Sequence, residues 1–170
     1  MSETATKPVY LVDPFSNPVV VRIEGRASFQ NSACLRDFIA EMARQGKSRV
    51  VIDLHHCASM DSTFLGVLAG VALEMRKLTP PGTLVLARVG TRNLELVRNL
   101  GLHRLLVIDY GALPLGAERH EESLDCPDRS EMENARLALE AHENLVAADE
   151  NNRSKFQDVL TFLRNRLDQR

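Results

Sequence analysis

Val50-Val51-Ile52-Asp53-Leu54, followed by Met60-Asp61-Ser62-Thr63-Phe64-Leu65-Gly66-Val67-Leu68, is the stretch on which the fold turns. The first segment is rich in β-branched residues without polar alternation, the pattern of a strand buried on both faces. The second opens with Asp61-Ser62, residue types that cap helices, and runs on apolar to about Lys77, where Pro80-Pro81-Gly82 stops it. A buried strand that hands its C-terminal end through a loop to a helix is the repeating unit of a parallel α/β sheet. Backbone N–H groups left free at that helix start, together with the helix dipole, make the position hospitable to an anion.

The flanking sequence repeats the unit. Val9 to Val12 and Val19 to Ile23 are short β-branched runs separated by Asp13, Pro14, Ser16, Asn17 and Pro18, which predicts a hairpin. Leu35, Phe38, Ile39 and Met42 recur at helical spacing within a helix from about Ser32 to Gln45, and Gly46 stands where a left-handed C-cap belongs. Leu84 to Leu86 is a second buried strand. Thr91 is placed to cap a third helix through Leu94, Val97 and Leu100, ended by Gly101, and Leu105 to Ile108 is a last short strand. The expectation is an α/β layer with a mixed, largely parallel sheet of four to five strands.

Charge marks a boundary. Up to residue 116 there are 13 basic and 10 acidic side chains; from 117 onward there are 8 and 13. The change falls on Gly111-Ala112-Leu113-Pro114-Leu115-Gly116, a Gly- and Pro-punctuated segment. Residues 7–112 read as the α/β domain, 113–129 as a linker and 130–170 as a helical C-terminal extension. In the extension Ser130 and Glu133 have capping-box spacing. Leu139, His142, Leu145 and Val146 continue one face, and Phe156, Val159, Leu160, Leu163 and Leu167 form a cleaner stripe. Asp149-Glu150-Asn151-Asn152 between them is polar all round, so the extension is either two helices or one with a polar waist.

Composition excludes several classes of function. A net charge of -2 provides no field for nucleic acid or an anionic membrane, and the absence of Trp argues against a base-stacking platform. The longest apolar run, Phe64 to Leu73, is about half of what a bilayer span requires. The start of the chain lacks a basic, then apolar, leader, and three cysteines, Cys34, Cys57 and Cys126, show no C-x-x-C spacing. Free thiols and a cytoplasmic location are the expectation.

The central stretch resembles the STAS domain, the family of the anti-sigma factor antagonists and of the cytoplasmic tails of sulfate transporters. The family pattern is a strand ending in Asp, a short loop, then Asp-Ser-Ser/Thr-Gly-Leu-Gly opening a helix. This chain has Ile52-Asp53-Leu54, then Met60-Asp61-Ser62-Thr63-Phe64-Leu65-Gly66, and the resemblance spans roughly residues 8–110, including Gly25 and Leu100-Gly101-Leu102. It implies that Ser62 is a serine phosphorylated by a partner kinase that doubles as an anti-sigma factor. The unphosphorylated protein would bind that kinase, and phosphorylation would end the contact. Partner-contacting residues would be Asp61, Ser62, Thr63, Phe64 and Ser28. Phe64 departs from the family by replacing the motif's first glycine, and Ser28 stands where many relatives are acidic.

The same residues admit other roles. Asp61 and Ser62 also suit plain helix capping, and Thr63 suits a hydroxyl bonded to nearby backbone, with phosphoacceptor as its lesser role. Asp53 suits a brace for the loop. His55-His56-Cys57 does not converge on a metal, because consecutive residues of an extended segment point to opposite sides. Ser62 lacks the G-x-S-x-G elbow of a hydrolase nucleophile, and no Walker or dinucleotide glycine pattern occurs, so no catalysis, cofactor or metal is expected. Phe64 to Leu73 is apolar around its whole circumference, more than one sheet-facing stripe needs. The extension offers a cover for the second face, from its own chain or from a second copy as a homodimer. The alternatives to a phosphorylation switch are a STAS scaffold that oligomerises through its C-terminal helices and a soluble regulatory subunit of a membrane transporter.

Overall fold

The computed structural model describes residues 9–111, 113, 115 and 120–169. The expected domain limits at residues 7 and 112 lie outside these. Six strands form one sheet in the order β5-β4-β3-β2-β1-β6. The hairpin forms as read: β1 (Tyr10–Asp13) pairs antiparallel with β2 (Val19–Ala27), Tyr10 opposite Ile23. The Asp13 carboxylate accepts the Phe15 and Ser16 N–H groups and so holds the intervening turn. β3 (Arg49–Met60), β4 (Thr83–Ala87) and β5 (Val107–Asp109) follow in parallel.

Two features of the sheet differ from the sequence reading. β3 does not end at Leu54 but continues to Met60, so residues expected to form a loop are strand, paired as Glu24 with His56, Gly25 with Cys57 and Arg26 with Ser59. The register shifts twice here, and Gly25 takes φ 92° in the bulged stretch, a left-handed conformation that glycine adopts without steric cost. His55, His56, Ala58 and Ser59 are exposed, which is why no hydrophobic pattern announced a strand. The second difference is β6 (Glu122–Ser123), a sixth strand on the outer edge of β1. Its two polar residues carry no β signal; only pairing with Leu11 and Val12 makes them a strand.

Side chains alternate along the strands. Val19, Val21, Ile23, Val50, Ile52, Leu54, Leu84 and Leu86 face the main core, under α1 (Ser32–Arg44) and α2 (Ser62–Arg76). Val20, Val51 and Ala87 face the other way, and Leu113 and Leu115 pack on them. α3 (Thr91–Asn99) is capped at Gly90, so Thr91 sits inside the helix and makes no capping bond, against expectation. Gly101 then takes φ 72°, and a Cβ there would lie 2.2 Å from an Asp149 carboxylate oxygen.

That contact brings in the extension, which folds as two helices, α4 (Glu131–Ala148) and α5 (Asn152–Asp168). The Ser130–Glu133 capping box forms in both directions. Asn152, fully buried, donates to the carbonyls of Leu100 and Leu145 and so pins the polar waist to the end of α3. α4 lies on the outer side of α2, which is therefore buried between sheet and α4. This accounts for a helix apolar on every side. α5 packs on α4 through Leu160 and Leu163, while Val159 and Phe162 remain exposed. Cys34 of α1 and Cys126 are disulfide-bonded, their Cα atoms 5.2 Å apart, which corrects the expectation of three free thiols; Cys57 alone is free, and buried. Among the described residues no helix is long and apolar enough to cross a membrane, and no cluster of three metal-ligating side chains occurs.

Candidate functional site at the start of α2

Three segments converge on the N-terminus of α2. Asp61 is the N-cap: one carboxylate oxygen accepts the Phe64 N–H at 2.8 Å, and the other accepts the Phe29 N–H at 2.9 Å from the β2–α1 loop. One side chain thus caps the helix and ties down the neighbouring loop. Within that loop Asn31 accepts from the Tyr10 hydroxyl (2.8 Å) and from Ser28 N–H (3.0 Å), and its amide donates to the Arg26 carbonyl. Ser28 receives the Ser32 hydroxyl at its carbonyl, and its own Oγ accepts the Gln30 N–H. Burial pushes the Tyr10 phenol above its usual range, with the Cys57 and Asp61 charges adding to it, so the hydroxyl stays a donor.

The third segment is the extension. Ser62 is the first residue of α2 and half-buried, and its Oγ lies 2.9 Å from His142 Nε2 of α4. The other ring nitrogen, Nδ1, is 2.6 Å from the Ala138 carbonyl. A carbonyl only accepts, so Nδ1 carries the proton; in the neutral ring Nε2 is then the acceptor and the Ser62 hydroxyl donates. The ring is buried, and Phe156 of α5 stands edge-on to it with centroids 5.0 Å apart. Close approach of α4 is permitted by Gly66: a Cβ there would lie 2.1 Å from the Ala141 carbonyl oxygen.

The structure therefore brings Ser28, Asp61 and Ser62 to one end of the molecule. Thr63 and Phe64, expected to touch a partner, are instead buried, Phe64 completely, and in this conformation belong to the core. Phe64 supplies there the volume that the family glycine lacks. Asp53 lies apart, on the opposite sheet face from the helices. It accepts the His55 N–H at 3.1 Å and pairs with Arg88, whose Nε is 2.9 Å from one carboxylate oxygen. It braces the end of β4 rather than the approach to Ser62. Arg88 takes φ 54°, rare for a side-chain-bearing residue, and its pairing with Asp53 holds the guanidinium pKa above its ordinary value.

A family profile described as "Mlab, STAS domain" matches residues 12–108, more than half of the chain. The chain belongs to the STAS domain family. Solved structures similar to it include the anti-sigma factor antagonist SpoIIAA in its unphosphorylated form, at 18% identity and a TM-score of 0.46, covering 52% of this chain and 81% of that one. Another is the Bacillus cell fate determinant SpoIIAA in the phosphorylated form, at 17% identity and a TM-score of 0.49, covering 60% and 92%. No curated protein matches the sequence. The STAS match ends at residue 108, so α4 and α5 lie beyond the matched region.

Sequence reasoning missed two residues of the site. His142 stood in the sequence as one position on a helical face, and only the docking of α4 places it on Ser62. Phe29 is 41% exposed beside Asp61; the one signal available for it is a lone aromatic inside the polar run Ser28-Phe29-Gln30-Asn31.

Proposed function

We propose that this STAS protein is a phosphorylation-controlled protein-binding switch. When Ser62 is unmodified it binds an anti-sigma factor that is also a serine kinase; a phosphoryl group on Ser62 ends the contact. The observation that carries this reading is the position of the hydroxyl, half-exposed at the first residue of α2. The positive helix end partly compensates the charge of a phosphoryl group, roughly -1.5 to -2. Asp61 next to it, and the His142 ring hydrogen-bonded to its Oγ, make the modified state incompatible with the surface as it stands. Kinase and nucleoside triphosphate come from the partner, and the chain itself acts as no enzyme.

The proposed site of action is the cytoplasm. The Cys34–Cys126 bridge counts against this location, because glutathione-poised compartments keep such pairs reduced.

The test is peptide mapping by mass spectrometry of the protein isolated from its own source, together with partner binding by Ser62 variants. Ser62→Asp is expected to abolish binding to the kinase and Ser62→Ala to preserve it. An unmodified Ser62 under all conditions, with both variants binding equally, would remove the proposal. A second reading draws on α5: Val159 and Phe162 are exposed at 39% and 64%, an apolar pair suited to a scaffold that self-associates through its C-terminal helices.

A further inference from the structure

α4 is held on its two sides in different ways. Along α2 it is packed closely: Gly66 and Gly70 leave it room, and a Cβ at Gly70 would meet the Asn144 side-chain amide at 2.3 Å. Toward α1 a cleft of about 390 Å³ stays open, walled by Ile39, Val67, Leu137 and Ala141. Two ion pairs span that side, Arg36 with Glu140 at 3.7 Å and Arg129 with Asp37 at 3.3 Å, and so does the Cys34–Cys126 bond. Exposed ion pairs contribute little. The covalent bond is the firm tie between α1 and the extension.

That bond is placed where it can be made and broken. Cys34 and Cys126 are both half-buried, and Asp125, Pro127 and Asp128 around the latter are exposed. Cys57 is buried and takes no part. Once the bond opens, Cys34 has a partner, because its Sγ lies 3.0 Å from the Asn31 carbonyl, which accepts a thiol proton. The bond also shortens the tether of α4. Four residues, 127–130, separate Cys126 from the first residue of α4, whereas twenty-one, 110–130, separate it from the end of β5. β6 between them is only two exposed residues long, a weak hold. Effective concentration falls as the 3/2 power of tether length, so opening the bond lowers that of α4 at its seat roughly tenfold.

We propose that Cys34 and Cys126 are a redox modification site that sets how firmly α4 covers Ser62: the dithiol lets α4 lift, and the disulfide locks it down. The oxidant is a low-molecular-weight disulfide, RSSR. One cysteine thiolate attacks it, releasing RS⁻ and forming a mixed disulfide. The second thiolate then attacks the protein sulfur of that mixed disulfide and releases the other RS⁻. The two thiol protons end on the leaving thiolates, so protein dithiol and RSSR give protein disulfide and two RSH. Excess RSH runs the step backward. In a reducing compartment Ser62 is open to its partner, and oxidation withdraws it; this consequence rests on the reading of Ser62 as the contact and phosphoacceptor.

The full chain, equilibrated in glutathione buffers from an oxidising to a cytoplasmic poise, tests this, with the bridge read by acid-quenched alkylation. Opening of α4 is read as the rate at which diethyl pyrocarbonate acylates His142 Nε2, which Ser62 covers, with exposed His103 as the reagent control. The bridge is expected to open within the cytoplasmic range, and acylation of His142 to rise roughly tenfold as it does, His103 staying constant. Cys34→Ser and Cys126→Ser should show the faster rate in every buffer. A bridge that stays closed at the cytoplasmic poise would overturn the proposal, as would a His142 rate that does not follow the bridge. So would loss of the cooperative unfolding transition in reduced wild type and both variants alike, which would make the bond a plain staple of the fold. Redox-dependent acylation of His142 with a Ser62 that is never phosphorylated keeps the redox site and removes the switch. A Ser62 phosphorylated in both redox states alike, with His142 unmoved, does the reverse.

Discussion

The hydroxyl of Ser62 and the ring of His142 meet at 2.9 Å across 80 positions of sequence. This bond joins the STAS domain to the extension that follows it, at the residue proposed above as the phosphoacceptor. With Nδ1 held by the Ala138 carbonyl, the ring is fixed in the tautomer that accepts from Ser62. Anything that adds bulk to Oγ must move α4, and anything that moves α4 uncovers Oγ.

Removing the ring tests how much that joint contributes. His142→Ala leaves a cavity beside Phe156 and strands the Ser62 hydroxyl, at an expected cost of about 2 kcal/mol. In a double-mutant cycle with Ser62→Ala the coupling should be about 1 kcal/mol, read from urea denaturation. A coupling near zero would mean that the two groups do not interact in solution.

Asp61 has two N–H partners on separate segments. Asp61→Ala should therefore cost more than an ordinary helix cap, about 2 kcal/mol against a usual ~1 kcal/mol. It should also raise amide exchange at Phe29 as well as at Phe64. If exchange rises at Phe64 alone, the tie to the β2–α1 loop is not formed.

Arg88 pays for its left-handed backbone with the pairing to Asp53, which is completely buried. Arg88→Leu keeps the strain and removes the guanidinium, at an expected cost of about 3 kcal/mol in thermal or urea unfolding. Arg88→Gly should cost less, because glycine relaxes φ while losing the same pair. Equal costs would show that φ 54° carries no strain.

Alkaline pH should destabilise the fold in a defined window. Burial pushes the Cys57 thiol up from the ordinary value near 9 to about 11, against weaker opposing hydrogen bonds. The unfolded chain thus releases this proton first, and stability, full below pH 9, is lost as pH rises through about 11. Tyr10 acts in the same direction at higher pH. Cys57→Ala should flatten the fall in Tm between pH 8.5 and pH 11; an unaltered slope would place the thiol in water.

The scaffold reading is separable on α5. Leu163 is buried within its own chain, so Leu163→Asp should destabilise the monomer by about 3 kcal/mol whatever the assembly. Phe162→Asp, at an exposed site, should change monomer stability by less than about 0.5 kcal/mol. Light scattering that shows a loss of oligomer in Phe162→Asp supports the scaffold; an unchanged monomer removes it.

The location is open to chemistry. Acid-quenched alkylation of the protein in its own source should find Cys34 and Cys126 as free thiols if the cytoplasmic proposal holds. A quantitative bridge would place the protein in an oxidising compartment.

Much of this architecture was determined by short-range chemistry that a sequence displays. The β-branched runs at Val19 and Val50, the turn formers after Asp13, Gly46 at the end of α1 and the Ser130–Glu133 box each act over a few residues, so each could be read locally. The apolar circumference of α2 even required a second cover. Tertiary structure alone decided what that cover was and where it landed. β3 runs on to Met60 because β2 offers it partners, Glu122 and Ser123 are a strand only because β1 is beside them, and His142 reaches Ser62 because two glycines let one helix press against another. Those outcomes depend on groups far apart in sequence meeting in space, and no local preference of Glu122, Ser123 or His142 encodes them.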